Sequence, residues 1–234
     1  MRLFAIGDLH LPGGDDKPMD VFGPQWDGHF LRISENWRRL VTPEDTVLIP
    51  GDISWAMQLE DARADLASIG ELPGRKVLTR GNHDFWWSAI SRVRAALPPA
   101  MLALQQSAAD LGPCVVCGTR GWQFPTGEAP LSAQDEKVYR RELVRLELAL
   151  KEARLLAGER PMVVMLHFPP LLREIPDTAF TALLEQYGAH TVVYGHLHGP
   201  GIAVGFDGEH RGVRYRLVSC DSIGFCPREI LLDD

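Results

Sequence analysis

Lys76-Val77-Leu78-Thr79-Arg80-Gly81-Asn82-His83-Asp84 sets a short apolar run directly against a glycine and three adjoining polar side chains. A continuous run of this kind, with β-branched Val77 and Thr79, reads as a strand buried on both faces. Polar groups just past its carboxyl end lie where open α/β sheets build their sites. The same design recurs along the chain. Leu3-Phe4-Ala5-Ile6 runs into Gly7-Asp8, and Thr46-Val47-Leu48-Ile49 into Pro50-Gly51-Asp52. Met162-Val163-Val164-Met165-Leu166 runs into His167, and Thr191-Val192-Val193-Tyr194 into Gly195-His196. A further run, Cys114-Val115-Val116-Cys117, ends at Gly118.

Helical patterns lie between these runs. Residues 30–40 place Phe30, Ile33, Trp37 and Leu40 at helical spacing, and 58–69 place Leu59, Ala62, Leu66 and Ile69 on one face. The longest pattern, 134–157, carries Val138, Leu143, Leu146 and Leu150 within a heavily charged surface. Another spans 177–187 and is closed by Gly188. Asp84 is expected to N-cap a helix reaching to about residue 97, because its carboxylate can accept early helix N–H bonds. Near the C-terminus, 201–206 and 212–218 read as an antiparallel hairpin joined by Asp207-Gly208-Glu209-His210-Arg211. The alternation predicts an α/β fold. With no repeat, low-complexity tract or linker, it predicts one domain over residues 1–234.

Composition narrows the classes. The 234 residues are 45% hydrophobic and 24% charged, which excludes a disordered, collagenous or disulfide-scaffold chain. No stretch approaches the ~18 consecutive apolar residues of a membrane span. The net charge of −7, from 24 Lys+Arg against 31 Asp+Glu, argues against an extended nucleic-acid-binding surface. The N-terminal run is too short for a signal peptide, so the cytoplasm is the expected location. The four cysteines are then expected to be free, and Cys114 and Cys117 to be core residues on opposite faces of one strand.

Each strand end is weak evidence alone; together they form a constellation. Asp8, His10, Asp52, Asn82, His83, His167, His196 and His198 occupy the ends of five strands and include five of the eight histidines. Imidazole and carboxylate without thiolate suit Zn, Mn or Fe in a catalytic rather than a structural site.

In order, Asp8-x-His10, Gly51-Asp52, Gly81-Asn82-His83-Asp84, His167 and Gly195-His196-x-His198 resemble the calcineurin-like metallophosphoesterase superfamily, and all its blocks are present over residues 8–198. The resemblance implies a two-sheet αββα sandwich, with the C-terminal hairpin extending one sheet. It implies two divalent metal ions, with manganese expected and iron, zinc or cobalt compatible. Asp8, His10 and His198 would hold one, Asn82, His167 and His196 the other, and Asp52 would bridge them. It further implies hydrolysis of a phosphate ester by a hydroxide shared between the metals, with His83 protonating the leaving group. Several phosphoprotein phosphatases of the superfamily carry an Asp-Arg pair shortly after the Gly-Asp block. Here Ile53-Ser54-Trp55-Ala56 follows instead. Enzymes cleaving lipid A precursors share the Asp-Leu-His-Leu start but have Arg at the position of His83, whereas bacterial phosphodiesterases and exonucleases keep His. The expected activity is therefore on phosphodiesters, from a small-molecule or nucleotide substrate. A phosphomonoesterase or protein phosphatase is the alternative. A non-catalytic scaffold of the same fold is disfavoured because every ligand position is filled.

Around the motifs, Trp55 and Trp122 are candidate platforms for a base or other planar group, Trp55 being the preferred one. Arg120, just past a strand, is a candidate phosphate ligand beside Asn82. The long Pro- and Gly-containing segment 11–29 is expected to form a rim over the site.

Overall fold

In the computed structural model, which describes residues 1–14, 19, 23–127 and 130–232, two sheets stack face to face with helices on their outer sides. Strands β1 (Leu3–Ala5), β2 (Thr46–Pro50), β3 (Arg75–Thr79) and β4 (Met101–Ala103) are parallel neighbours in that order. The two-residue β11 (Arg228–Glu229) closes the edge of this sheet antiparallel to β1. The second sheet runs β5 (Ser107–Asp110), β6 (Val115–Thr119), β7 (Met162–Leu166), β8 (Thr191–Tyr194), β10 (Val213–Leu217), β9 (Gly208–His210). Its four central strands are parallel, and the two edge strands are antiparallel to their neighbours.

The period of two along each strand sorts the side chains into three cores. Leu3, Ala5, Leu48 and Val77 meet Val116, Val163, Met165 and Val193 between the sheets. Phe4, Val47, Ile49 and Leu78 face outward onto α1 (His29–Leu40) and α2 (Leu59–Gly70), through Ile33, Trp37, Leu66 and Ile69. On the other side Val115, Met162, Val164 and Val192 meet α4 (Ala133–Ala157) and α5 (Ala179–Gln186), through Leu146, Leu150, Phe180 and Leu184. Strands packed on both faces account for the continuous apolar runs of the sequence. Cys114 falls in the inter-sheet core and Cys117 in the helix-facing one, and both are free thiols.

Two expectations are corrected. Asp84 does not cap a helix. Residues 84–89 are irregular apart from a turn at Phe85-Trp86, and α3 (Ile90–Ala96) starts later. The buried Asp84 carboxylate instead accepts the backbone N–H groups of Gly81, Ile53 and Ser54 and the indole N–H of Trp86. It ties two strand-end loops together, and these four donors occupy the lone pairs that a helix N-terminus would need. The hairpin also lies later than expected. Residues Gly199–Val204 form a 3-10 turn, and β9 and β10 are joined at Arg211-Gly212. Both turn residues have positive φ, 49° and 75°, the pairing that matches the twist of a two-residue hairpin. With Pro200 and two flanking glycines, 199–204 lacks the alternation a strand needs. No helix among the described residues is long and apolar enough to cross a membrane.

Candidate metal centre

The parallel strands of both sheets end along one edge of the sandwich, and this brings the predicted residues together. Asp8 and His10 follow β1, Asp52 follows β2, Asn82 and His83 follow β3, His167 follows β7, and His196 and His198 follow β8. Asp8, His10 and His198 bring one ligand atom each within 4.8 Å of one another, and Asp52, His167 and His196 do the same. The loops reach this geometry through left-handed backbone. Among the described residues seven non-glycine positions have positive φ, and four are Asp8, His10, Asp52 and His196. Such conformations persist only where surrounding structure enforces them. The glycines are needed for close approach. A Cβ at Gly81 would collide with Asp52, and one at Gly195 with the Asp8 carboxylate.

Lone pairs converge in the second cluster. The His167 Nδ1–H donates to the Pro50 carbonyl at 3.1 Å, which leaves Nε2 as an acceptor. That atom lies 2.6 Å from Asn82 Oδ1, 3.2 Å from His196 Nδ1 and 3.4 Å from Asp52 Oδ2. Asn82 Oδ1 is also 2.9 Å from His196 Nδ1. Acceptors crowded this closely call for a cation. In the first cluster, His198 Nε2 sits 3.3 Å from Asp8 Oδ1 without forming a hydrogen bond, and His10 Nδ1 is buried with no partner. Asp52 lies between the clusters. Its Oδ2 is 3.8 Å from His10 Nε2 as well as 3.4 Å from His167 Nε2, and its Oδ1 accepts the His83 N–H at 2.8 Å.

The electrostatics of three imidazoles fit this donor set. Burial lowers the pKa of His10, His167 and His196, the last to about 3, keeping them in the neutral form that ligates metal. His83 is shifted down as well, first by burial and then by His167. Burial and the neighbouring Asp8 and Asp84 push the Asp52 carboxyl up. Burial also pushes on Asp8, but His198, His167 and His10 outweigh it and hold it below the usual carboxylate range. For His198 burial acts downward, yet Asp8 and Asp221 raise it to about 10.

Asp221 is absent from the motif reading. Its carboxylate takes His198 Nδ1 at 2.9 Å and the Gly199 N–H at 2.9 Å, which aims His198 Nε2 at Asp8. Its signal was the strand-end rule itself, since Asp221 follows β10, which runs parallel to β8.

The wider set divides. The His83 ring is half-buried, 4.4 Å from Trp55 and 5.8 Å from His10 between centroids. Trp55 stacks on His10 at 4.8 Å and donates its indole N–H to Met19. Trp26 packs edge-on to His10 and His198. Of the 11–29 rim, residues 15–18 and 20–22 lie outside the described residues. His29 reaches back to the Leu9 carbonyl at 2.8 Å. Trp122 packs on Phe168 and carries the Arg120 guanidinium 4.4 Å above its ring. Arg120 is not gathered into the metal clusters. Its backbone carbonyl accepts the N–H groups of His167 and Phe168, while its side chain enters a separate cavity.

A sandwich of two mixed sheets with paired candidate metal-ligand clusters on its strand ends is an α/β fold of the metallophosphoesterase type. The chain belongs to the calcineurin-like phosphoesterase family, whose model matches residues 1–200. It is 38% identical over 87 residues to the Gene 66 protein of Mycobacterium phage D29, a match covering 36% of this chain and 40% of that protein's length. Among solved structures, phosphopantetheinyl hydrolase from Mycobacterium tuberculosis superposes with a TM-score of 0.61 at 17% identity, covering 99% and 96% of the two chains. A protein of unknown function from Aquifex aeolicus gives a TM-score of 0.52 at 15% identity, covering 97% and 95%. At these identities the structural likeness concerns the fold.

Proposed function

We propose that this chain hydrolyses phosphodiesters at a dinuclear metal centre. Supporting the centre is the convergence of lone pairs on Asp52. Asp8, His10 and His198 would hold one metal, Asn82, His167 and His196 the second, and Asp52 both. The donor set of imidazole, carboxylate and amide oxygen suits manganese, and also iron, zinc or cobalt. Two divalent ions bound here would polarise the phosphoryl oxygens and supply a nucleophile at neutral pH by lowering the pKa of water. The protein's part is to orient and to move a proton. Pro50 and Asp221 fix the rings of His167 and His198. The Asp52 carboxylate, by accepting the His83 N–H, sets where the His83 ring stands. That ring makes no hydrogen bond to a described residue and would hold the proton for the departing alkoxide. Trp55 closes the space behind it and would flank the substrate.

The observation favouring diesters is a groove of about 370 Å³ that reaches His196. Phe124, Leu131, Phe168, Leu172 and Leu197 line it, room for an apolar or neutral second substituent on phosphorus. The test is kcat/KM for matched nitrophenyl mono- and diesters with manganese in excess. Diesters should be the faster; a monoester preference of about tenfold or more overturns the reading.

A further inference from the structure

Beyond the metal centre, a cavity of about 230 Å³ opens at the carboxyl ends of β3, β4 and β6, and none of its lining residues belongs to either metal cluster. Four arginines line it: Arg80, Arg120, Arg141 and Arg145. Ser88, Gln105 and Thr119 add neutral polar groups. Such a concentration of cations is unexpected in a chain of net charge −7.

The arginines are poorly compensated. Glu142, fully buried beneath them, accepts from Arg145 at 2.6 Å and from the Thr119 hydroxyl at 2.6 Å, so both its oxygens are committed. Among the described residues no carboxylate lies within ion-pair distance of Arg80, Arg120 or Arg141. The Arg80 Nε is buried with no hydrogen-bond partner. Arg120 is held in place from one side by the Trp122 face, which leaves its donor edge free. Planar guanidinium forks held in one small polar cavity match the geometry of phosphate oxygens. A counter-anion would relieve their mutual repulsion and satisfy the buried Nε.

We propose that this cavity is a binding site for a phosphate group, distinct from the metal centre. The group is either a second phosphate carried by the substrate or a free phosphate-type anion. Neither source needs a chemical step at the cavity. Binding here stands independently of the catalytic reading, since the arginines bind without metal.

The test is calorimetric titration of the metal-loaded protein with inorganic phosphate, using variants that remove one site each. Wild type should take two phosphates. Arg120→Gln/Arg141→Gln should lose one, its affinity falling roughly tenfold or more as charge-assisted bonds are removed. Asp52→Asn should lose the other and keep the arginine site. Arg141 is exposed on α4, so Arg141→Gln alone supplies a folded variant in which the same site must weaken. If the arginine variants titrate like wild type, or if Asp52→Asn takes no phosphate, the proposal fails. A wild type that takes a single phosphate, kept in Asp52→Asn and lost in the arginine variants, would count against the catalytic reading and not against this one. The source is then read from KM in Arg141→Gln. A rise confined to diesters that carry a terminal phosphate assigns the site to substrate; an unchanged KM on both kinds assigns it to a free anion.

Discussion

Strand β2 begins at one buried aspartate and ends at another, and the two are treated in opposite ways. Asp45, before the strand, is 3% exposed, and Asp52, after it, 2%. Asp45 is saturated by its own neighbourhood. Its oxygens accept the Arg2 N–H at 2.7 Å, the Arg2 guanidinium at 2.9 Å, and the N–H and hydroxyl of Thr42, both at 3.0 Å. Burial pushes its carboxyl up, but these donors outweigh it and hold it at about 2. Asp52 has one donor, the His83 N–H, and otherwise faces Asp8, Asp84, the acceptor nitrogen of His167 and, at 3.8 Å, Nε2 of His10. Its carboxyl is pushed up. A buried charge that its surroundings satisfy holds the fold together; one left facing other acceptors marks a place for a ligand.

The hardest test of that contrast is Asp52→Asn. It should cause the largest loss of metal of any substitution at the site, because it removes the charge proposed to serve both ions. Elemental analysis after dialysis reads this directly; two tightly held metals remaining would refute the shared role. The metal-free variant should melt at or above the metal-free wild type, since an uncompensated buried charge has been removed. A lower melting temperature would mean Asp52 is as structural as Asp45.

His83→Ala sharpens the division within the site, between residues proposed to hold metal and the one proposed to move a proton. Both metals should remain while turnover falls on the order of 10²- to 10⁴-fold. The loss should shrink for a nitrophenolate leaving group, which needs little protonation. Equal losses on good and poor leaving groups would rule out a general acid.

Asp221→Asn probes the first cluster alone. Removing the carboxylate that orients His198 should weaken one metal by roughly 10- to 100-fold and leave the second, which leans on Pro50 and Asn82, unchanged. Metal titration monitored by calorimetry separates the two.

What the sequence made legible follows from where one rule applies. Runs such as Met162–Leu166 and Thr191–Tyr194 are strands with the bounds read from them, because burial on both faces leaves an unbroken apolar signal. The edge strands escaped. Ser107–Asp110 and Arg228–Glu229 face the core with little of their length, so their sequence carries no such run. The residues of the two metal clusters could be placed because each sits at the end of a legible strand. Asp221 could not, because 212–218 read as the arm of a hairpin and its far end was not counted among the strand ends. Asp84 was legible as a carboxylate with backbone donors nearby. Which donors it takes depends on the packing of β2 against β3, contacts that no local pattern encodes.

Asp45→Asn should have the smallest effect, and one confined to stability. The amide keeps one acceptor oxygen but turns an NH₂ toward donors, so charge-assisted bonds are lost and about 2 kcal/mol of stability should go near neutral pH. Metal content and turnover should stay at wild-type values, since Asp45 lies at the opposite end of β2 from the clusters. The pH dependence gives the sign. A carboxyl whose folded pKa lies below its unfolded value contributes its full stabilisation above the unfolded value of 3.8. The contribution then fades as pH falls through the folded value of about 2. Denaturant melts of the two metal-free proteins should therefore differ by a constant amount from neutrality down to about pH 4, and converge between about pH 4 and 2. A gap that persists undiminished at pH 2 would show that the carboxylate charge is not what Asp45 contributes. The two ends of β2 would then differ in hydrogen bonding alone.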